Sequence, residues 1–177
     1  MTAKKKFFEE LENIILPKME NIAASPRDYY VQMTRALVLL RKGKDARKEA
    51  RDALIVASKE RPDVSTVSDM ILNLDIQMND TESAEKHARQ VLRQNRQSKL
   101  ANYVMGSIRL QREDYATAET FLRLSVAQDR PLASAQNDLA EALRRQKKYV
   151  EAEKAARDAV KNEPNLYVAW ETLASIL

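Results

Sequence analysis

The sequence contains no cysteine and only two glycines, Gly43 and Gly106. Without a thiol there is no disulfide framework, no thiolate zinc site and no cysteine nucleophile. Two glycines far apart in the chain cannot form a phosphate-cradling loop, which needs glycines clustered ahead of a helix. The single histidine, His87, leaves no His pair for a metal and no partners for a His-dependent triad within this chain. It stands in SAEKHARQ between Ala84, Ala88 and Val91 and reads as a helix-surface residue. No apolar run approaches the roughly 20 residues that span a bilayer. Glu9, Glu10 and Glu12 interrupt the N-terminus where a signal sequence would need its hydrophobic stretch. These absences argue against an enzyme: no catalytic, cofactor-binding or metal-ligating residue and no small-molecule substrate is expected. The lack of cysteine suits the cytoplasm, with a periplasmic or membrane-attached setting as the alternative.

What is present points to helices. Ala, Leu, Glu, Lys, Arg and Gln dominate the 177 residues, and these lose least on entering a helix. The 30 basic and 26 acidic residues leave a net charge of +4, a weak argument for nucleic acid. The signs alternate along segments such as EAEKAARDAVKNE, which is how a solvated helix face looks, and a phosphate binder would concentrate its cations. Two basic clusters, Arg41–Lys44 and Arg144–Lys148, are separated by acidic equivalents at Asp80 and at Glu113–Asp114, so a continuous phosphate track is interrupted. Residues 1–30 read as an amphipathic helix and linker, with Phe7, Leu11, Ile14, Ile15 and Ile22 on one side.

A period of 34 residues runs through the rest. Ala50, Ala84, Ala118 and Ala152 recur at that step without insertion. So do Leu37, Ile71, Met105, Leu139 and Leu173, then Val38, Leu72, Gly106, Ala140 and Ala174, then Ala57, Val91, Ser125 and Ala159. Each unit divides into two helical stripes with three- and four-residue spacing; Tyr149, Ala152, Ala155, Ala156, Ala159 and Val160 mark the second stripe of the last complete unit. Asp80 and Asp114 are placed to cap second helices, and Pro62 and Pro164 follow them. SPRD at Ser25–Asp28 offers a capping serine, a first-turn proline and an early acid.

Those columns, with small residues at Gly106 and Ala140, alanine early in the second helix and a late proline, resemble the tetratricopeptide repeat, TPR. The resemblance covers 31–177 and implies an all-α fold, a right-handed superhelical array (α-solenoid) of antiparallel helix pairs. Its parts are an N-terminal helix in 1–30, repeats at 31–64, 65–98, 99–132 and 133–166, and the first helix of a fifth at 167–177. That last stretch carries Trp170 with Leu and Ile on its outer side, so it is expected to be a repeat interrupted, either in a piece of a longer protein or paired with a second chain. The resemblance implies a non-catalytic scaffold binding an extended peptide or partner helix of another protein on its concave face. That face would present Arg35, Leu39, Asp69, Asn73, Ile76, Leu100, Tyr103, Ser107, Leu110, Asn137, Glu141 and Arg144. Tyr103, flanked by leucines, is expected as an exposed anchor, the alternative being that it covers a neighbouring unit. The cation and amide set that such repeats use for chaperone C-termini is absent in either frame. The remaining alternatives are a regulatory array of a larger envelope, secretion or sugar-transfer machine and a nucleic-acid-associated repeat. Self-association through the terminal half repeat is also expected.

Overall fold

The computed structural model describes residues 3–22 and 27–177, and among them every regular element is helical. The chain divides into two compact units, Met1–Asp80 and Thr81–Leu177. The first holds α1 (Ala3–Glu10), a π-helical turn (Leu11–Ile15), α2 (Leu16–Ile22), α3 (Tyr29–Lys42), a 3-10 turn (Lys44–Ala46), α4 (Arg47–Glu60) and α5 (Ser65–Gln77). The second holds α6 (Thr81–Gln94), α7 (Lys99–Gln111), α8 (Tyr115–Val126), α9 (Ala133–Arg145), α10 (Tyr149–Asn162) and α11 (Tyr167–Ile176).

The sequence period survives as structure. First helices begin at Ser65, Lys99, Ala133 and Tyr167, and second helices at Arg47, Thr81, Tyr115 and Tyr149, each series in steps of thirty-four. The earliest first helix departs from it, starting at Tyr29 rather than Val31. Its cap is Asp28, whose Oδ1 accepts the N–H groups of Tyr30 at 2.9 Å and Val31 at 3.3 Å. The serine cap expected at Ser25, with Pro26, lies outside the described residues. Asp28 stands immediately before the helix with a charged acceptor at the positive end of the dipole. Asp114 caps α8 as expected, accepting from Thr117 N at 3.3 Å.

Three turns share a feature that the sequence did not signal. Asn79, Glu113 and Lys147, one period apart, have φ of 54°, 60° and 63°. Each lets the next amide reach back five residues, Asp80 to Asp75, Asp114 to Arg109 and Lys148 to Leu143, at 2.9–3.0 Å. This is the helix-ending motif that glycine normally occupies. In the first unit the equivalent turn is built differently, with Gly43 at φ 109° leading into the 3-10 turn.

Alanine-rich faces let paired helices approach closely. In Met1–Asp80 the core gathers Ala36, Ala50, Ala53, Leu54, Ala57, Val67, Ile71 and Leu74. In Thr81–Leu177 it runs from Ala118 and Leu122 through Leu139, Ala140 and Leu143 to Ala152, Ala156 and Leu173. Gly106 shows why one column is small: a Cβ there would stand 2.5 Å from Leu122 Cγ.

Four expected core positions are corrected. Leu37 is 42 % exposed although Ile71, Met105, Leu139 and Leu173 in its column are buried, because no described side chain packs over that side of α3 as the neighbouring repeats do over theirs. Tyr149 is exposed at the first residue of α10, ahead of the packed turns, and Ala174 is exposed near the end of α11. Val91 is only half-buried. In the N-terminal segment the half-buried residues include Phe8, Leu11, Leu16 and Met19, whereas Phe7, Ile14 and Ile15 are exposed; the side chain of Ile22 lies outside the described set. Pro17 explains the shift: it lacks an N–H and crowds the carbonyl four residues back, and the π-helical turn just before it rotates the stripe. On α11, Ala169 and Leu173 are buried while Tyr167, Val168 and Trp170 are exposed, with Trp170 Nε1 donating to Pro164 O at 3.0 Å.

Candidate protein-binding face

The first helix of a repeat turns one stripe toward its core and keeps another free, and the free stripe is where the expected site residues fall. In Thr81–Leu177 the free stripes of α7 and α9 meet in a polar cluster. Ser107 Oγ donates to Asp138 Oδ2, joining the two helices. The Tyr103 hydroxyl lies beside Ser107 and Ser134, and the Asn137 amide beside Asp138. Tyr103 is not the exposed anchor anticipated: it is half-buried and its ring packs, with Leu110, against the hydrophobic core. The ring covers the neighbouring unit while the hydroxyl faces the polar cluster, as suits an amphipathic side chain.

Two groups in the cluster are incompletely satisfied. Asn137 is 7 % exposed and its Oδ1 has no hydrogen-bond partner among the described residues. Asp138 accepts from Ser107, but no lysine, arginine or histidine among the described residues pairs with it. Burial pushes the Asp138 carboxyl above the usual carboxylate range, against the lowering effect of Ser107 and Asn137 and with Glu141 adding like charge. Burial also raises the Tyr103 phenol, and the Asp138 charge adds to the effect.

The next turn of α9 is self-satisfied. Glu141 takes Arg144 through two bonds of 2.8 Å and Arg145 Nε at 2.7 Å, and its carboxyl is held low chiefly by Arg144. Lys148 pairs with Glu119 at 2.7 Å. Much of the second basic cluster is thus neutralised at home, which weakens its case as a phosphate site. Leu100 is half-buried at the start of α7.

In Met1–Asp80 the expected residues do not form one cluster. Arg35 pairs with Glu20 of α2, and Leu39 is half-buried against the core. On α5, Asp69 is half-buried and already engaged, while Asn73 and Ile76 are exposed.

The member of this polar cluster that the sequence reading did not single out is Asp138. Its signal was available: Ala36, Met70 and Val104 stand at the same phase of the three preceding units, so a carboxylate there breaks an apolar column. His87 is half-buried on α6, and no group of three His, Cys, Asp or Glu among the described residues is arranged to hold a metal. No described helix is long and apolar enough to cross a membrane.

No curated protein matches the sequence. Among solved structures, the chain is similar to a tetratricopeptide repeat protein from Parabacteroides merdae, with 20 % identity and a TM-score of 0.70 over 96 % of this chain. It spans 64 % of the length of that protein. The portion of MamA from residue 41 to its end, from Desulfovibrio magneticus RS-1, shows 19 % identity and a TM-score of 0.69 over 87 % of this chain and 85 % of that one. YrrB, a TPR protein with an unusual peptide-binding site, shows 16 % identity and a TM-score of 0.69 over 97 % of this chain and 87 % of its own. At these identities the likenesses establish the fold. The tetratricopeptide repeat family model matches residues 70–133 and 125–166, more than half of the sequence, and the chain belongs to that family.

Proposed function

We propose that the chain is a protein-interaction scaffold and that the face built by α7 and α9 holds an extended segment of another protein. The observation that carries this reading is the Asn137 side chain, more than nine-tenths buried with Oδ1 unpartnered, beside a carboxylate that lacks a cation. Leaving such acceptors unsatisfied is unfavourable, and a peptide backbone N–H or a basic side chain supplies what they lack. Tyr103 offers a rigid ring edge and a hydroxyl next to them. The likeness to a peptide-binding TPR protein supports the same reading.

The test is selection of random linear peptides displayed against the wild-type chain, followed by affinity measurement on Asn137→Ala and Tyr103→Ala. Each variant is expected to weaken the selected peptides about tenfold, the loss of one buried hydrogen bond or one anchor. Equal affinity for wild type and both variants would remove this face from the function.

A further inference from the structure

On the first unit, the stripe of α3 that carries Arg35, Val38 and Lys42 is already covered. The segment Ala3–Ile22 lies antiparallel along it. Arg35 pairs with Glu20, Thr34 Oγ1 contacts Met19 Sδ at 3.7 Å, Lys42 Nζ lies 2.6 Å from Glu12, and the Arg41 guanidinium stands 4.5 Å above the Phe8 ring. Residues 34, 35, 38, 41 and 42 are one helical face, so the segment follows α3 for two turns.

The seating is shallow. None of the residues 6–21 is buried, and Phe7, Ile14 and Ile15 remain open to solvent. A cleft of about 210 Å³, lined by Phe8, Glu9, Glu12, Val38, Arg41 and Lys42, stays between the segment and α3. A permanent cap presents a polar outer side and buries its apolar one. Here large apolar side chains face outward and the attachment is by partly exposed ion pairs, which hold weakly.

We propose that this stripe of α3 is a docking surface for an amphipathic helix carrying acidic residues about two turns apart beside an aromatic or thioether side chain, and that Ala3–Ile22 is its resident occupant, displaced when such a partner binds. The charge pattern decides the class: Arg35 and Lys42 select carboxylates, Arg41 takes an aromatic ring, and Glu12 and Glu20 show the spacing that fits the two cations. The surface is separate from the α7–α9 face.

A labelled peptide of residues 3–22 is the probe, titrated into the whole 177-residue chain. Wild type is expected to bind it weakly, because its own segment competes. Glu12→Lys with Glu20→Lys in the chain leaves α3 intact, frees the stripe and is expected to tighten the peptide by about fivefold or more. Arg35→Glu with Lys42→Glu is expected to abolish binding, and a peptide carrying the two lysine substitutions is expected to restore it. Circular dichroism confirms that each chain is folded. An affinity that is the same in all chains would overturn the proposal, as would binding lost in Asn137→Ala and retained in Arg35→Glu with Lys42→Glu. A wild-type dimer dissolved by Arg35→Glu with Lys42→Glu would also overturn it, since the occupant would then be a second copy of the chain.

Discussion

Arg51 Nη1 lies 2.8 Å from Asp75 Oδ1 and 2.7 Å from Asp80 Oδ2, so one guanidinium joins α4 to the end of α5 and to the turn after it. Asp75 has no exposed surface and the Arg51 side chain only 10 %. A similar link recurs one period later with the charges exchanged: Glu85 takes Arg109 at 3.5 Å and Arg112 at 2.6 Å. One period further, Glu119 takes Lys148 at 2.7 Å and Gln146 at 2.9 Å. The repeat preserves a polar link between a second helix and the end of the next first helix, while its sign is free to vary.

Breaking the buried member of that series is expected to be costly. Arg51→Ala leaves Asp75 buried without its cation and should lower unfolding free energy by about 3–5 kcal/mol. Arg51→Met with Asp75→Leu removes both charges and should recover most of the loss. Urea unfolding of the two variants decides it; a single variant no worse than the double would show that the pair carries no charge compensation.

Gly106 is expected to reject even alanine. Alanine has the better helix propensity by about 1 kcal/mol. Its Cβ would nevertheless stand 2.5 Å from Leu122 Cγ and 2.8 Å from Cδ2, and Leu122 has no exposed surface into which to move. Overpacking of this kind costs about 1–3 kcal/mol, so Gly106→Ala should destabilise. Adding Leu122→Ala should recover part of the loss if the collision is its cause. The denaturant midpoints of the two variants measure both effects.

The left-handed turn residues offer stabilisation. Glu113 and Lys147 adopt φ of 60° and 63° with a Cβ that disfavours that conformation. Glycine there should raise stability by about 0.5–1 kcal/mol per site, after allowing for its own greater chain entropy. Thermal unfolding of Glu113→Gly and Lys147→Gly tests this, and a lowered midpoint in both would refute it.

Asp138 and Glu141 should respond to pH in opposite directions. Burial raises the Asp138 pKa, so the folded chain holds that proton more tightly than the unfolded chain does. The ionised group is therefore a net cost at neutral pH, and Asp138→Asn should stabilise there. The gain should shrink as pH falls through the folded pKa and vanish near the unfolded value of about 3.9. Glu141, whose pKa is lowered first by Arg144, contributes stability above its unfolded value of about 4.3 that is lost as pH falls through its folded pKa. Urea midpoints against pH for wild type, Asp138→Asn and Glu141→Gln separate the two trends.

Much of the fold was legible. Ala50, Ala84, Ala118 and Ala152 are all buried and the second helices that carry them start thirty-four residues apart, because helix and helix-pair periods are local properties that a repeated sequence states many times. The Asp114 cap and the stops at Pro62 and Pro164 were legible for the same reason. The candidate site was legible only in part. Tyr103, Ser107 and Asn137 do meet, but Glu141 and Arg144 pair with each other and Arg35 with the N-terminal segment.

By itself, then, the sequence determined the helices, their 34-residue phase and the family, since hydrophobic spacing and small-residue columns act within one unit and its neighbour. Only the tertiary structure decided that Leu37 is uncovered, that Asp75 is buried and Asp138 half-buried beside Ser107, and that Ala3–Ile22 lies along α3. Those outcomes depend on which side chains distant in sequence arrive at one place. A carboxylate's environment is a property of the packed helices around it, not of its own position in a periodic pattern.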